Sequence, residues 1–243
     1  MENYTPSSYG DTMAPVFDFL NVDEEENQRT VEFLSSEAGG QHVLEPCVGT
    51  GRIAIPLTQA GYSVHGIEVS TAMAEQLRGK PGGELVEVLV GDMLSTQPPM
   101  RYDLIYLLQN GLGNLLSEKE QVEYLRQTVG QLHPEGRLVL ESWEPEPERF
   151  VDNQYVETSL LDANFVVLSA AQLDPGAQVI SQQSIMISNQ GIQLYPVRFR
   201  YFDVDQLDAM ATEAGLVLRD RYSDWDRKPY SEKGRSISVY VAA

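Results

Sequence analysis

Cysteine is almost missing from this chain of 243 residues, since Cys47 stands alone. An intrachain disulfide and a thiolate metal cluster are thereby excluded, which agrees with a reducing compartment. Basic residues are also scarce, with 17 Lys and Arg against 36 Asp and Glu and a formal net charge of −19. Nucleic-acid binders neutralise phosphates with surplus Lys and Arg, so no polynucleotide partner is expected. The same repulsion disfavours anionic membranes and polyphosphate ligands and leaves a neutral or cationic small molecule as the better partner. No run approaches the roughly 20 apolar residues of a membrane span. The start, Met1-Glu2-Asn3-Tyr4, lacks the basic-then-apolar order of a signal peptide, so the expected location is cytoplasmic. Internal repeats and low-complexity tracts are absent as well.

What is present is a 42% hydrophobic content, sufficient for one substantial core. From residue 42 onward, short apolar runs alternate with helical patterns, as in a parallel sheet covered on both faces. Parallel strands are predicted at 42–47, 63–68, 85–90, 102–108 and 137–143. A preceding helix over 21–38, stopped by Gly39-Gly40, is expected to lie beside the site as a lid. Over 151–202 the pattern changes to alternating β-branched segments at 163–173, 178–188 and 193–202. The turns Asp174-Pro175-Gly176 and Asn189-Gln190-Gly191 separate them, as in an antiparallel meander. A helix at 203–214 and strands at 216–222 and 236–241 complete the chain. The fold class is therefore α/β, a doubly wound seven-stranded Rossmann-like sheet with an antiparallel β insertion after the fifth strand. Residues 1–150 and 203–243 form the main domain, and 151–202 the insertion, which is expected to cover a pocket or to pair through its strand edges with a second copy.

The chemistry centres on Glu45-Pro46-Cys47-Val48-Gly49-Thr50-Gly51, which follows the first strand and leads into a helical run from Arg52. Glycines there let the backbone approach a ligand, and the helix start offers free N–H groups. The pattern also fits a dinucleotide fingerprint, so a nicotinamide- or flavin-dependent oxidoreductase is a competing reading. Glu68 ends the second strand, where a carboxylate can accept both ribose hydroxyls. Asp92 follows the third strand in Val90-Gly91-Asp92-Met93, placed for an adenine amino group with Met93 on the ring. An acidic rim of Glu45, Glu68 and Asp92 suits a cationic sulfonium cofactor better than a pyrophosphate.

With this acid-x-x-x-Gly-x-Gly loop, second-strand acid and third-strand Asp, the chain resembles the class I S-adenosylmethionine-dependent methyltransferases. The resemblance is strongest to the small-molecule branch that includes sugar N,N-dimethyltransferases and glycine N-methyltransferase. The chain departs from the usual pattern at Pro46 and at Cys47-Val48. The resemblance implies S-adenosylmethionine as cofactor and S-adenosylhomocysteine as product. It implies a cofactor site made by Tyr9, Glu45, Pro46, Gly49, Thr50, Gly51, Arg52, Ile53, Glu68, Val69, Met73, Gly91, Asp92, Met93, Leu108 and Gln109. Tyr4, Tyr9 and the 22–38 helix would cap it. Asn110, Asn114, Trp143 and Arg198 would face a small-molecule acceptor.

Methyl transfer from sulfonium is an in-line displacement, for which alignment and water exclusion supply most of the rate. His42, His65 and His133 all lie away from strand carboxyl ends, so a histidine base is not expected. Tyr9 and Glu141 are the candidate catalytic groups, and no metal is called for. Three functions follow: a methyltransferase acting on N, O or C of a small metabolite, an NAD(P)-dependent oxidoreductase, or a methyltransferase-like protein that binds without catalysis.

Overall fold

The computed structural model describes residues 1, 3–20, 23–144, 146–231 and 234–243. Two sheets organise it. The larger combines β1 (His42–Pro46), β2 (Ser63–Glu68), β3 (Glu87–Val90), β4 (Tyr102–Leu107), β5 (Leu132–Trp143), β10 (Leu216–Tyr222) and β11 (Arg235–Ala242) in the order β10-β11-β5-β4-β1-β2-β3. The first five are mutually parallel, and β11 runs antiparallel to both β5 and β10. After β1 the chain builds outward to β3 and then returns to β4 on the other side of β1. That reversal opens a crevice beyond the carboxyl ends of β1 and β4, the usual ligand position in such sheets.

The strands form because each is buried on both faces, as the near-continuous apolar runs require. On one face, Leu44, Ile105 and Leu138 meet Leu125 of α5 (Glu118–Gln131) and Leu207 and Met210 of α6 (Val204–Ala214). On the other, Val43, Leu104 and Val139 meet Phe33 and Leu34 of α2 (Glu24–Glu37), Leu57 of α3 (Ala54–Gln59) and Leu77 of α4 (Thr71–Gly79). Each fully buried leucine contributes about 1.5–3 kcal/mol. Local signals fix the helix ends. Ser117 and Asp203 open α5 and α6 with capping boxes, and Gly215 closes α6 at φ +91°.

Several boundaries differ from expectation. The third strand starts at Glu87, because Gly83–Leu85 winds into a 3-10 turn. A helix α1 (Ser8–Leu20) forms at the N-terminus despite Gly10 and Pro15. The predicted lid helix is instead α2. Its Phe33 and Leu34 are spent on the sheet, so it is a layer of the sandwich, and α1 takes the covering position. Asn21 and Val22, expected at its start, lie outside the described residues.

The second sheet has four strands rather than the three segments expected: β6 (Gln154–Leu161), β7 (Phe165–Asp174), β8 (Val179–Ser188) and β9 (Gly191–Arg200), antiparallel in sequence order. Helix α1 lies between this sheet and α4, with Met13, Ala14 and Phe17 against Met73 on one side and Val167, Met186 and Tyr195 on the other. Among the described residues, no helix is long and apolar enough to cross a membrane.

One buried acid ties the layers together. Glu37, at the end of α2 and 1% exposed, accepts from Arg137 at 2.8 Å, from Arg219 at 3.2 Å and from Arg227. These arginines come from β5, β10 and the loop after β10. Glu37→Ala leaves Arg137 and Arg227 short of a counter-charge, while Arg219 keeps Asp220 at 3.2 Å, and we expect a loss of about 2–3 kcal/mol, below the full penalty of a broken buried pair because the arginines are partly exposed. Urea unfolding measures it, and an unchanged midpoint would show that the cluster adds nothing.

Candidate active site

A cavity of about 770 Å³ opens beyond the carboxyl ends of the parallel strands, within the range of small-molecule sites. Its floor is the sheet, and its cover is α1 together with the inner face of the antiparallel sheet.

The turn after β1 makes the floor approachable. Cys47, Gly49 and Gly51 all take positive φ, at +59°, +56° and +79°. A Cβ on Gly51 would stand 2.8 Å from Leu77, so glycine there also lets α3 and α4 pack. Glu68 locks the turn. One of its carboxylate oxygens accepts from the Gly49 N–H at 2.8 Å and the other from the Ser70 N–H at 2.9 Å. Burial raises its pKa in spite of these bonds. Ser70 caps α4 and donates its hydroxyl to Asp11 of α1 at 2.7 Å. Gly10 makes this docking possible, because a Cβ there would fall 2.5 Å from that of Ser70. A second tie holds the far end of α1, where Asp18 accepts from Thr50 at 2.6 Å and from Lys80 at 2.7 Å.

Asp92 lines the cavity beyond β3, with one oxygen held by the Leu94 N–H at 2.8 Å and Met93 beside it. After β4, Gln109 and Asn110 are both in the left-handed region, at φ +49° and +57°. Glu141 braces them from behind. Its side chain accepts from the Gln109 N–H at 2.7 Å, its carbonyl from the Asn110 N–H at 3.2 Å, and Arg235 stands 3.5 Å away.

Of the residues singled out from sequence, Tyr9, Gly49, Glu68, Val69, Met73, Gly91, Asp92, Met93, Leu108 and Gln109 line the cavity, as do Asn110, Asn114, Trp143 and Arg198. Seven others stand behind it: Glu45, Pro46, Thr50, Gly51, Arg52, Ile53 and Glu141. Glu45 accepts from the Tyr106 hydroxyl at 2.7 Å, Arg52 donates to Asn27, and Ile53 is core. Glu141 is thus a loop support and does not face the reacting space. Cys47 is open to the cavity but deep in the protein, and burial lifts its thiol to about 12, so it is no nucleophile. Three further acids, Glu120, Glu144 and Glu146, and the insertion's Tyr155, Gln182 and Phe199 also line the cavity without having been found in sequence. The alternation of β8 and β9 marked two faces there without saying which looked inward.

The histidines lie elsewhere. His42 and His133 both meet Asp103, through the His42 backbone N–H and the His133 ring, and His65 meets the Tyr102 hydroxyl.

Residues 43–136 match a family model described as a methyltransferase domain. The CcbJ methyltransferase from Streptomyces caelestis is 34% identical, with alignment over 99% of this chain and 100% of that one and a TM-score of 0.92. This chain belongs to the class I S-adenosylmethionine-dependent methyltransferases. The glycine-rich turn therefore belongs to a methyltransferase rather than to a nicotinamide enzyme. A glycine/sarcosine N-methyltransferase from Halorhodospira halochloris is 29% identical over 107 residues, 42% of this chain and 40% of that protein, so the chain matches less than half the length of that curated relative. The sugar N-methyltransferase KedS8 from a Streptoalloteichus species shares the fold at 18% identity, with a TM-score of 0.69 over 98% of each chain.

The methyltransferase cofactor fits this cradle on the structure's own evidence. Gly49 carries no side chain over the floor, and Glu68 and Asp92 reach the cavity as acceptors without cationic partners among the described residues. Asp92→Ala should weaken S-adenosylhomocysteine binding about 10- to 100-fold with unfolding unchanged, the scale of a lost hydrogen bond to a charged group. Calorimetric titration measures this, and unaltered affinity would remove Asp92 from the site.

Glu45 gives a second test. Burial pushes its carboxyl from 4.5 to about 8. The unfolded chain releases this proton near 4.5 and the folded chain keeps it until about 8, so the folded state binds more protons between those values and stability falls as pH rises through them. In Glu45→Gln this slope should flatten, as read by urea unfolding at a series of pH values. A slope equal to that of the natural chain would mean that Glu45 is already ionised when folded.

Proposed function

We propose that this enzyme transfers the methyl group of S-adenosylmethionine to the amino nitrogen of a small, neutral or cationic acceptor such as an amino sugar, as a tailoring step in secondary metabolism. The observation that carries this reading is the chemistry of the acceptor wall. Glu120, Glu144 and Glu146 line it with Tyr4, Tyr9, Trp143 and Tyr155, and no histidine or lysine is among the described lining residues. These acids outnumber the two cations there, Arg149, which pairs with Glu146 at 2.9 Å and lies over Tyr155, and Arg198, which lies over Tyr4. A neutral amine is already a competent nucleophile, whereas a hydroxyl or carbon acceptor needs a base to activate it. Carboxylates and aromatic faces attract an ammonium ion by charge and by cation–π contact. The sugar N-methyltransferase KedS8 and the glycine/sarcosine N-methyltransferase lend support as relatives named for nitrogen acceptors.

Bound S-adenosylmethionine supplies an electrophilic methyl group on a sulfonium. The chain's residues do the rest by placement. Glu68 and Asp92 would take the ribose hydroxyls and the adenine, and the Gln109-Asn110 loop, held by Glu141, would bear on the acceptor. Helix α1 and the antiparallel sheet exclude water from the line of attack. Burial raises the Tyr9 hydroxyl to about 12, so it stays protonated at neutral pH. Its oxygen can still accept a hydrogen bond from the acceptor N–H and so direct the nitrogen lone pair, a positioning role rather than that of a base. The acceptor's ammonium proton leaves to water through the carboxylate-lined mouth before transfer.

The test is incubation with S-adenosylmethionine and a panel of amino sugars and small amines, matched with their hydroxyl analogues. S-adenosylhomocysteine release and the methylated atom are read by mass spectrometry and NMR. N-methyl products are expected, with kcat/KM rising as the amine deprotonates and falling about tenfold in Tyr9→Phe, the worth of one hydrogen bond. O-methyl products, or turnover of no amine while cofactor binds, would overturn the proposal.

A further inference from the structure

The loop after β4 carries two consecutive non-glycine residues in the left-handed region, Gln109 at φ +49° and Asn110 at φ +57°, and both line the cavity. A side chain is disfavoured in that conformation, so such a loop keeps its shape only where surrounding contacts over-determine it. Inside the loop, the Gly111 N–H donates to the Leu108 carbonyl at 2.9 Å and the Gly113 N–H to the Asn110 carbonyl at 2.8 Å. From outside, the Glu141 carboxylate holds the Gln109 N–H at 2.7 Å. That grip is strongest while Glu141 is an anion, yet the side chain is buried and burial raises its pKa. The charges around it therefore decide how well it holds. Among the described residues, two cations face it: Arg235 at the start of β11, 3.5 Å from one carboxylate oxygen, and Arg52 from the turn after β1. Glu26 at the start of α2 faces it with the opposite effect. Arg52 is shared with Glu45 and donates to Asn27. Arg235 is fixed on several sides, since it donates to Glu26, reaches the Ser223 carbonyl at 3.5 Å and lies over the Trp225 ring at 5.9 Å.

We propose that Arg235 is a positioning residue for methyl transfer: its guanidinium keeps Glu141 a carboxylate, and Glu141 in turn keeps the Gln109-Asn110 loop in its left-handed form beside the acceptor. The proposal rests on the reading above that this loop bears on the acceptor. Arg235 is not among the described residues that line the cavity, so its effect passes through Glu141. The bond to Gln109 sets the plane of the peptide that follows Leu108, and with it the directions in which the Gln109 and Asn110 side chains enter the cavity. Helix α2 is spent on the sheet and takes no part in the cover, yet Glu26 and Asn27 at its start place both arginines. The C-terminal strand pair thereby reaches the site as well, through Arg235 and the Trp225 beneath it.

Amide hydrogen exchange of the full chain with S-adenosylhomocysteine bound, read by mass spectrometry over a pH series, tests the link without an acceptor. Arg235→Met should lower protection of the amides at 108–111 about tenfold, the worth of a weakened bond to a charged group, with strand protection and S-adenosylhomocysteine affinity unchanged. The loss should deepen as pH falls, because Glu141 without this cation takes up its proton at a higher pH than in the natural chain. Arg235→Lys should restore most of the protection. In a Glu141→Gln background, with no charge left to hold, Arg235→Met should add nothing. If Arg235→Met does not fold, Arg235→Gln decides in the same way. Unchanged protection at 108–111, a loss spread evenly over the strands, or additive losses in the double variant each overturn the proposal. With an amine that turns over, kcat should fall about tenfold in parallel, and an unchanged kcat overturns it too. Turnover of no amine counts against the N-methylation reading alone, and the exchange result then decides this one.

Discussion

The bidentate grip of Glu68 on the Gly49 and Ser70 N–H groups is the interaction on which the rest of the site depends. It joins the turn after β1 to the start of α4 at the end of β2, where three elements would otherwise expose unpaired backbone donors. A carboxylate is suited to this because each oxygen has a second lone pair left for a ligand. The same contact carries outward to the cover, since the Ser70 beside it receives Asp11 of α1. Cofactor floor and N-terminal cover are therefore connected through one buried acid.

Buried acids recur as structural supports elsewhere. Glu37 gathers three arginines from the C-terminal half of the sheet, Glu45 shares a proton environment with Tyr106, and Glu141 holds the loop after β4. Each would be costly if left without partners, and each is bonded. Their effect is to fasten neighbouring elements: Glu37 joins α2 to β5 and β10, Glu45 joins β1 to β4, and Glu141 fixes the loop beside the cavity. The acids that face the cavity, Glu120, Glu144 and Glu146, each hold a structural partner as well, Ser117, Tyr230 and Arg149, and also add negative charge to its field.

Helix α1 shows how a marginal segment is recruited. With Gly10 and Pro15 inside it, little intrinsic stability is available, and it forms because both its sides are occupied. One side fits α4 only because Gly10 has no side chain, and the other meets the apolar inner face of the insertion. Floor, cover and antiparallel sheet are thus mutually dependent.

The sequence by itself determined the seven-stranded sheet, the insertion and which residues stand at the strand ends, because apolar runs, glycine turns and terminal acids are local patterns with a fixed meaning. The positions of Gly49, Glu68, Asp92 and Asn110 on the cavity were legible for that reason. The existence of α1, the fourth strand of the insertion and the roles of Glu45 and Glu141 were not. A carboxylate at a strand end can turn to the ligand or to a neighbouring strand, and only the packed partners Tyr106 and Gln109 choose. Likewise, alternation in β8 and β9 separates two faces, yet which one lines the cavity is set by where α1 lies. These choices rest on contacts between residues far apart in the chain, so the tertiary structure alone could make them.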